Sequence, residues 1–99
     1  MKVYVMDLLP YGKHFDEFKA DRFIPYPLPG RYFDPKIAAK SYAAHFDVWA
    51  EMDALGYDGV GLNEHHTTPH GLQVSPNMMA AAAIRQMKKL EFLQLGNLL

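Results

Sequence analysis

Side chains able to do chemistry are concentrated in residues 63–71, which contain a glutamate and three of the five histidines of the chain. Neutral imidazole can act as a base, an acid, a hydrogen-bond donor or a metal ligand. Glu64, His65 and His66 directly follow a short apolar segment that has the pattern of a buried strand. Because parallel α/β folds build their functional sites at the carboxyl ends of strands, this stretch predicts such a site.

The three adjacent side chains are expected to play different parts. If the extended backbone continues past the strand, His65 and His66 point to opposite sides, so that one faces the site and the other packs or orients. Glu64 could then fix the tautomer of a histidine or pair with a cation. The plainer alternative is that both histidines only bond carbonyl groups of their own loop.

A metal-binding module is a second interpretation of the same stretch. Four side chains could together bind Zn²⁺ if the loop folded back on itself: Glu64, His65, His66 and His70. Pro69 opposes the helical geometry in which His66 and His70 would share a face. The chain has no cysteine and no His-Glu-x-x-His motif, so the standard zinc-binding patterns are absent.

Few residues outside this stretch suggest a site. Asp7 ends the first predicted strand at the same edge as the histidines, and it is either a substrate-side carboxylate or a solvated loop residue. Gly96 and Asn97 lie in the last predicted strand, where a glycine often marks the close approach of a ligand or of backbone and could admit a flat ring. His14 and His45 show no pattern with another residue and look incidental.

Composition and charge exclude several classes of function. Hydrophobic residues make up 49% and charged residues 21% of the 99 residues, which suits one small globular domain and opposes disorder. The formal net charge of -1 gives no signature of a nucleic-acid or membrane partner. The lack of cysteine, of a secretory signal and of a membrane-length apolar run predicts a cytoplasmic protein. Gly59 and Gly61 form no dinucleotide fingerprint and instead predict close backbone packing within a strand.

Local signals predict the elements that would position these residues. Strands are expected over residues 2–9, 59–63 and 90–99, and helices over residues 35–55 and from 76 to about 87. The first helix has Asp34 as its N-cap, a proline at its first position and Gly56 just after its end. The second helix begins in the same way, with Ser75 before a proline.

A long segment between the first strand and the first helix, at about residues 11–34, is rich in proline and aromatic residues. Prolines remove backbone donors and disfavour helix in the residue before them, so regular structure is not expected there. A loop of this length in a small domain is often functional, and its aromatic side chains indicate that it packs onto another part of the protein. Its length, compared with that in the family named below, suggests a lid or pocket wall. A solvated linker is the alternative.

The order of elements, β-loop-α-β-α-β, predicts an α/β fold with a parallel sheet. Three parallel strands leave two sheet edges and at least one sheet face uncovered, and the sequence ends on an apolar strand. We therefore expect the N-terminal piece of a larger α/β protein. The alternative is a non-catalytic remnant that oligomerises through its open edges.

Together these residues resemble the bacterial-luciferase-like family of flavin-dependent oxidoreductases. The resemblance is carried by Leu55-Gly56-Tyr57-Asp58-Gly59-Val60-Gly61-Leu62-Asn63-Glu64-His65-His66, then by Gly71, Pro76 and Lys89-Leu90 through Leu95-Gly96-Asn97-Leu98-Leu99. It covers the whole chain but only the first part of a family member. It implies that residues 1–99 form strands 1 to 3 of a TIM (β/α)8 barrel, with the site at the carboxyl rim of the strands.

The resemblance also implies a cofactor and residue roles. Members of the family use reduced FMN, or a deazaflavin in some branches, with dioxygen to oxygenate a small organic substrate. His65 would lie beside the flavin and assist the oxygen chemistry, and His66 would support the site. Leu95, Gly96 and Asn97 would form the flavin wall, with a non-prolyl cis peptide at about Leu95-Gly96. A flavin reductase and further subunits, identical or different, would be the protein partners.

Overall fold

Three parallel strands of four residues each form the sheet, in the order β1-β2-β3. The structure is a computed structural model that describes residues 1–12 and 26–97. Its main elements, in chain order, are β1 (Tyr4–Asp7), α1 (Pro35–Leu55), β2 (Gly59–Leu62), α2 (Pro76–Ala83) and β3 (Glu91–Gln94). The predicted α/β class, the parallel sheet and the alternation of strands and helices are confirmed.

The first helix has the bounds that its capping residues predict. The carboxylate of Asp34 accepts from the N–H of Lys36 at 2.9 Å, and a proline occupies the first position. Gly56 ends the helix in the left-handed region, with a φ of 84°, a conformation that glycine adopts without steric penalty. Neither α1 nor any other helix within residues 1–12 and 26–97 is both long and apolar enough to cross a membrane.

The other elements are shorter than the sequence predicts. The second helix starts at Ser75 as expected but ends at Ala83 instead of about residue 87, because the following backbone makes tight turns in which Gln86 N–H donates to Ala83 at 2.8 Å. The first strand ends at Asp7, since Leu9 adopts a φ of 46°. The third strand ends at Gln94, two residues before a glycine with a φ of 76°. Residues 98–99 of the predicted strand lie outside the described part.

The predicted long loop, at about residues 11–34, lies partly outside the description, since residues 13–25 are not described. His14 falls within that gap. The described remainder contains a short 3₁₀ helix, Gly30–Tyr32, directly before α1. The N–H of Asp34 donates to the hydroxyl oxygen of Tyr11 at 2.8 Å, so the two ends of the loop meet. Its expected role as a lid remains a prediction.

The buried core lies on one face of the sheet. Val60 and Leu62 of β2 are fully buried in one cluster with Trp49 of α1. The indole ring of Trp49 meets the ring of Phe92 edge-on, with centroids 5.9 Å apart, and Phe92 stands beside Val60 in the β2–β3 register. The ring of Phe46 meets the same indole from the helix side at 5.3 Å. Edge-to-face rings of this kind add stability beyond the area that they bury.

The opposite face of the sheet is built around two glycines of β2. A Cβ on Gly59 would lie 2.5 Å from the carbonyl oxygen of Glu91 and 2.7 Å from the ring of Tyr4. A Cβ on Gly61 would lie 2.7 Å from the side chain of Leu95. The predicted close packing at these glycines is confirmed, and the neighbouring side chains fold over them.

Apolar side chains of the two outer strands remain in contact with solvent. The exposed large apolar residues of β1, β3 and their flanks are Val3, Tyr4, Val5, Met6, Leu8, Leu93 and Leu95. β1 and β3 each pair with β2 alone in the described sheet, so their outer edges have no strand partner there. The uncovered face and edges that the sequence predicts are therefore present within the described residues.

The loop that leads into β3 is held by one carboxylate of α1. Asp53 accepts hydrogen bonds from the backbone N–H groups of Lys88, Lys89 and Leu90 at 2.9, 2.8 and 2.6 Å. The bond from Lys88 is the largest of the effects that hold the pKa of Asp53 below its ordinary value. Asp53 thus aligns β3 with the helix that packs over the sheet.

The variant Asp53→Asn should lower the midpoint of thermal unfolding near pH 7, because it removes the negative charge and one of the two acceptor oxygens: Lys88 bonds one oxygen, and Lys89 and Leu90 bond the other. A lowered folded-state pKa means that the stabilisation is fully present above the ordinary carboxyl range and is lost as the pH falls through the lowered value. Unfolding curves should therefore converge as the pH is lowered from about 5 to about 2. The control Asp47→Asn changes an exposed carboxylate on the same helix. A difference in unfolding midpoint between the wild-type protein and Asp53→Asn that does not change with pH would contradict the stabilising role of the Asp53 charge.

Candidate functional site

The loops that follow β1 and β2 meet at the carboxyl edge of the sheet. Asp7 and Leu62, the last residues of the two strands, stand side by side in the parallel register. The loop after β2 folds back, because the N–H of His65 donates to the carbonyl oxygen of Gln73 at 2.9 Å. The loop after β1 joins it through the N–H of Leu72, which donates to the carbonyl oxygen of Leu9 at 2.8 Å. The histidine stretch is therefore fixed by backbone hydrogen bonds.

Asp7 ties α1 to this edge of the sheet. One oxygen of its carboxylate accepts from Nε1 of Trp49 at 2.7 Å and from Nδ1 of His45 at 2.6 Å. The other oxygen accepts from the N–H of Leu9 at 2.9 Å. The side chain is only 14% exposed, so these bonds replace most of its hydration. Asp7, predicted as a substrate-side carboxylate, is placed against the helix.

His45 is the site-related residue that the sequence analysis missed. It was considered incidental, but it bonds Asp7 directly and lies one helical turn before Trp49. The spacing of four residues places both side chains on one face of α1, and this was the available signal. The acceptor between them is 38 residues before His45 and cannot be found from local pattern.

Two amide side chains at this edge are buried with an oxygen unpaired. Gln73 is fully buried, and its Nε2 donates to the backbone oxygen of Asp7 at 2.7 Å. Its Oε1, like Oδ1 of Asn63, is buried without a hydrogen-bond partner in the part of the chain that the structure describes. Buried acceptors are normally satisfied by a donor from protein, water or ligand. Both amide oxygens are therefore unsatisfied acceptors within the described residues.

Glu64 and His66 form a pair. Nε2 of His66 lies 2.6 Å from Oε1 of Glu64. The glutamate side chain is 10% exposed and the histidine 49%, so the carboxylate is enclosed while the ring borders solvent. The predicted role of Glu64 in orienting a histidine matches this pair, and the oriented ring is that of His66.

His65 has different surroundings. Its ring lines a cleft of about 250 Å³ and packs on the backbone of Gly71, where an added Cβ would lie 2.7 Å from Cδ2 of the ring. Within residues 1–12 and 26–97 its ring nitrogens have no hydrogen-bond partner. Aromatic, aliphatic and hydroxyl-bearing side chains form the walls, among them Tyr11, Phe33, Tyr42, Thr67, Thr68 and Leu72. His65 is thus available to a molecule bound in the cleft.

Backbone strain accompanies the cleft. Thr67 in its wall has a φ of 53°, a left-handed conformation that β-branched residues rarely adopt. Its carbonyl oxygen accepts from the N–H of Leu28 at 2.7 Å, which helps to hold the conformation. Strained positions of this kind tend to occur where a site must be held in one shape.

The predicted flavin wall lies apart from this cleft. The N–H of Leu95 donates to the carbonyl oxygen of Leu62 at 2.6 Å, and its side chain folds over Gly61. Gly96 and Asn97 are exposed and do not line the cleft. The structure thus pairs Glu64 with His66 and turns His65 to the cleft, and it does not place residues 95–97 in the lining of that cleft.

The expectation of a cis peptide at about Leu95-Gly96 is wrong. In the described ranges the cis bond is that between Tyr26 and Pro27. At the end of β3 the N–H of Leu95 stays in the ladder of the parallel sheet, and the change of direction is made by Gly96 with a φ of 76°.

The four proposed metal ligands do not converge. Within residues 1–12 and 26–97, no group of three or more His, Cys, Asp or Glu side chains could hold a metal ion. Glu64 and His66 bond each other, His65 lines the cleft and His70 is exposed. The loop after β2 folds back as the metal hypothesis required, but the folded loop does not bring the four side chains together.

No protein-family model, curated protein or solved structure matches the chain. The function must therefore be inferred from the residues and the geometry described above. The observations that bear on it are the cleft and the ring of His65 in its wall, which has no hydrogen-bond partner among the described residues.

The variant Asp7→Asn should lower the free energy of unfolding by about 2–3 kcal/mol, because hydrogen bonds from Trp49 and His45 to a charged acceptor are worth about 1.5–3 kcal/mol each and are weakened but not abolished. Urea denaturation monitored by tryptophan fluorescence would measure the loss. The variant Glu51→Gln is the matched control, since it removes an exposed carboxylate from the same helix. Equal stability of the two variants would show that Asp7 does not anchor α1.

Proposed function

We propose that residues 1–99 form the first three strands of a TIM barrel in a flavin-dependent monooxygenase or oxidoreductase of the bacterial-luciferase-like type. The parallel order β1-β2-β3, the intervening helices and the open outer edges support this architecture. The Glu-His-His motif follows β2 after one residue, Asn63, at the carboxyl edge where barrel enzymes carry their sites. The two open edges are where further strands of the sheet would pair.

The unpaired ring of His65 carries the functional part of the proposal. His45 is bonded to Asp7 and His66 to Glu64, so each has a carboxylate partner that fixes it. His65 alone among these three histidines presents an unpaired ring to a cleft in the described structure. A histidine in that position can donate, accept or transfer a proton at a bound molecule.

The described cleft offers apolar walls and the ring of His65 to the ring system of a flavin. The unpaired oxygens of Asn63 and Gln73 are buried outside the lining of this cleft and do not bear on that fit. The cleft of about 250 Å³ is smaller than a usual cofactor site, and no lysine or arginine of the described ranges lines it. The described residues could thus contribute to the ring site, whereas the phosphate of FMN needs cationic or helix-terminal groups elsewhere in the native protein.

When bound, reduced FMN or a deazaflavin would supply the electrons for the reaction. His65 would hold or transfer a proton at its ring nitrogen, beside the substrate. The bond between His66 and Glu64 would keep the second histidine oriented and support the loop that carries His65. The aromatic and aliphatic walls of the cleft would exclude water from the reacting groups. The proposed protein partners are a flavin reductase, which would deliver the reduced cofactor, and further subunits.

In the native protein, His65→Ala should slow the oxygen-dependent reoxidation of bound reduced FMN by about 100-fold, because a positioned acid or base commonly contributes that much. The dissociation constant for FMN should change by less than about threefold, since His65 would act on chemistry more than on binding. Stopped-flow absorbance and a fluorescence titration would provide the two values.

Two matched variants separate the roles of neighbouring histidines. His66→Ala should have a smaller effect on the reoxidation rate, since it removes only the partner of Glu64, and His70→Ala at an exposed position should have none. Loss of FMN affinity in His65→Ala with unchanged reoxidation of the bound cofactor would refute the role assigned to His65.

A further inference from the structure

Among residues 1–12 and 26–97, no aspartate, glutamate, lysine or arginine lines the cleft beside His65, and the described walls are mainly rings and aliphatic groups. A charged ligand would lose its hydration against these walls without gaining a charged partner from them, which carries a large free-energy penalty. The described lining therefore favours a neutral molecule.

The volume of the cleft limits the size of the ligand. The volume of about 250 Å³ lies below the roughly 300–1,000 Å³ of common small-molecule pockets. The rings of Tyr11 and Phe33 stand side by side in the wall, with centroids 5.7 Å apart and planes tilted by 32°. Flat rings pack well against such aromatic surfaces. A compound with a single ring fits both the space and the wall.

Tyr42 closes one end of the cleft. Its hydroxyl donates to the carbonyl oxygen of Leu72, and burial raises the pKa of the hydroxyl, so the group keeps the proton that the bond needs. Tyr42 and Val74 also line a second, apolar groove of about 400 Å³ that reaches Met78 of α2. Because Tyr42 is tethered and stands in the wall of both spaces, we expect it to keep a long chain from extending from one into the other.

Polar groups in the wall could orient a bound ring. His65 presents unpaired ring nitrogens, and Thr67 and Thr68 contribute hydroxyl groups. These groups can serve one hydroxyl or carbonyl oxygen of a ligand whose remainder is apolar. A few polar groups placed in an apolar cleft are the common arrangement for fixing the orientation of a small molecule.

We infer that this cleft is the substrate pocket of the proposed oxidoreductase and that its substrates are small, neutral, single-ring compounds with one oxygen substituent. Only the claim that the bound compound is a substrate rests on the proposed function. Binding of such a compound is a property of the cleft itself and can be measured without flavin.

The test compares three probes with the full chain in the absence of flavin, using ¹⁹F NMR for the fluorinated pair and a competition measurement for the third. 4-Fluorobenzyl alcohol should bind at least about tenfold more tightly than 4-fluorobenzoate, which has the same ring and a charge. 1-Decanol should not compete. Equal or tighter binding of the benzoate, or competition by decanol, would overturn the inference.

Variants locate the binding. Val74→Trp places a large ring at the exposed rim of the cleft and should weaken binding of the benzyl alcohol at least about tenfold. Val48→Trp, an equally exposed valine on α1 outside the cleft, should leave binding unchanged. Tyr42→Ala should admit decanol by joining the cleft to the groove. Unchanged binding in Val74→Trp would overturn the inference even if Tyr42→Ala fails to fold.

A parallel FMN titration of the native protein separates the two proposals. Ring binding without FMN binding would refute the proposed function and leave the cleft as a binding site for neutral rings. FMN binding without ring binding would refute the present inference and leave the proposed function standing.

Discussion

The arrangement of the whole site depends on Asp7. Its carboxylate holds Trp49 and His45 of α1, and its backbone oxygen accepts from the side chain of Gln73. The backbone oxygen of Gln73 in turn accepts from the backbone N–H of His65. The end of one strand thus connects the helix that covers the core to the loop that carries the candidate site. A buried carboxylate can serve in this way because several donors replace its lost hydration.

The hydrogen bonds at this edge of the sheet give His45, His66 and His65 different roles. His45 is occupied by Asp7 and His66 by Glu64, and both bonds fix the scaffold around the loop. His65 is left with an unpaired ring in the cleft, next to a strained threonine and a glycine that allows the ring to approach the backbone. Among the described residues, a fixed frame thus presents the unpaired ring of His65 to the cleft, where it can exchange a proton with a bound molecule.

Local chemistry made part of this structure predictable. The bounds of α1 follow from Asp34, a proline and Gly56, all of which act within a few residues of the helix ends. The ends of the strands cannot be predicted from nearby residues, because they depend on hydrogen bonds to distant segments and on turns such as that at Gly96. In the site, the position of Glu-His-His after a strand was visible in the sequence. The bond between His45 and Asp7 joins residues far apart in the chain, and the walls of the cleft are likewise formed by distant segments. No periodic pattern in the sequence predicts such contacts.

The most direct measurement of the central claim is a histidine ring ¹⁵N NMR titration of the native protein with FMN, with signals assigned by His65→Ala, His66→Ala and His45→Gln. We predict that FMN shifts the ring signals of His65 and leaves those of His45 unchanged, since His45 stays bonded to Asp7. Saturable FMN binding that leaves His65 unchanged would contradict the account, as would the absence of FMN binding.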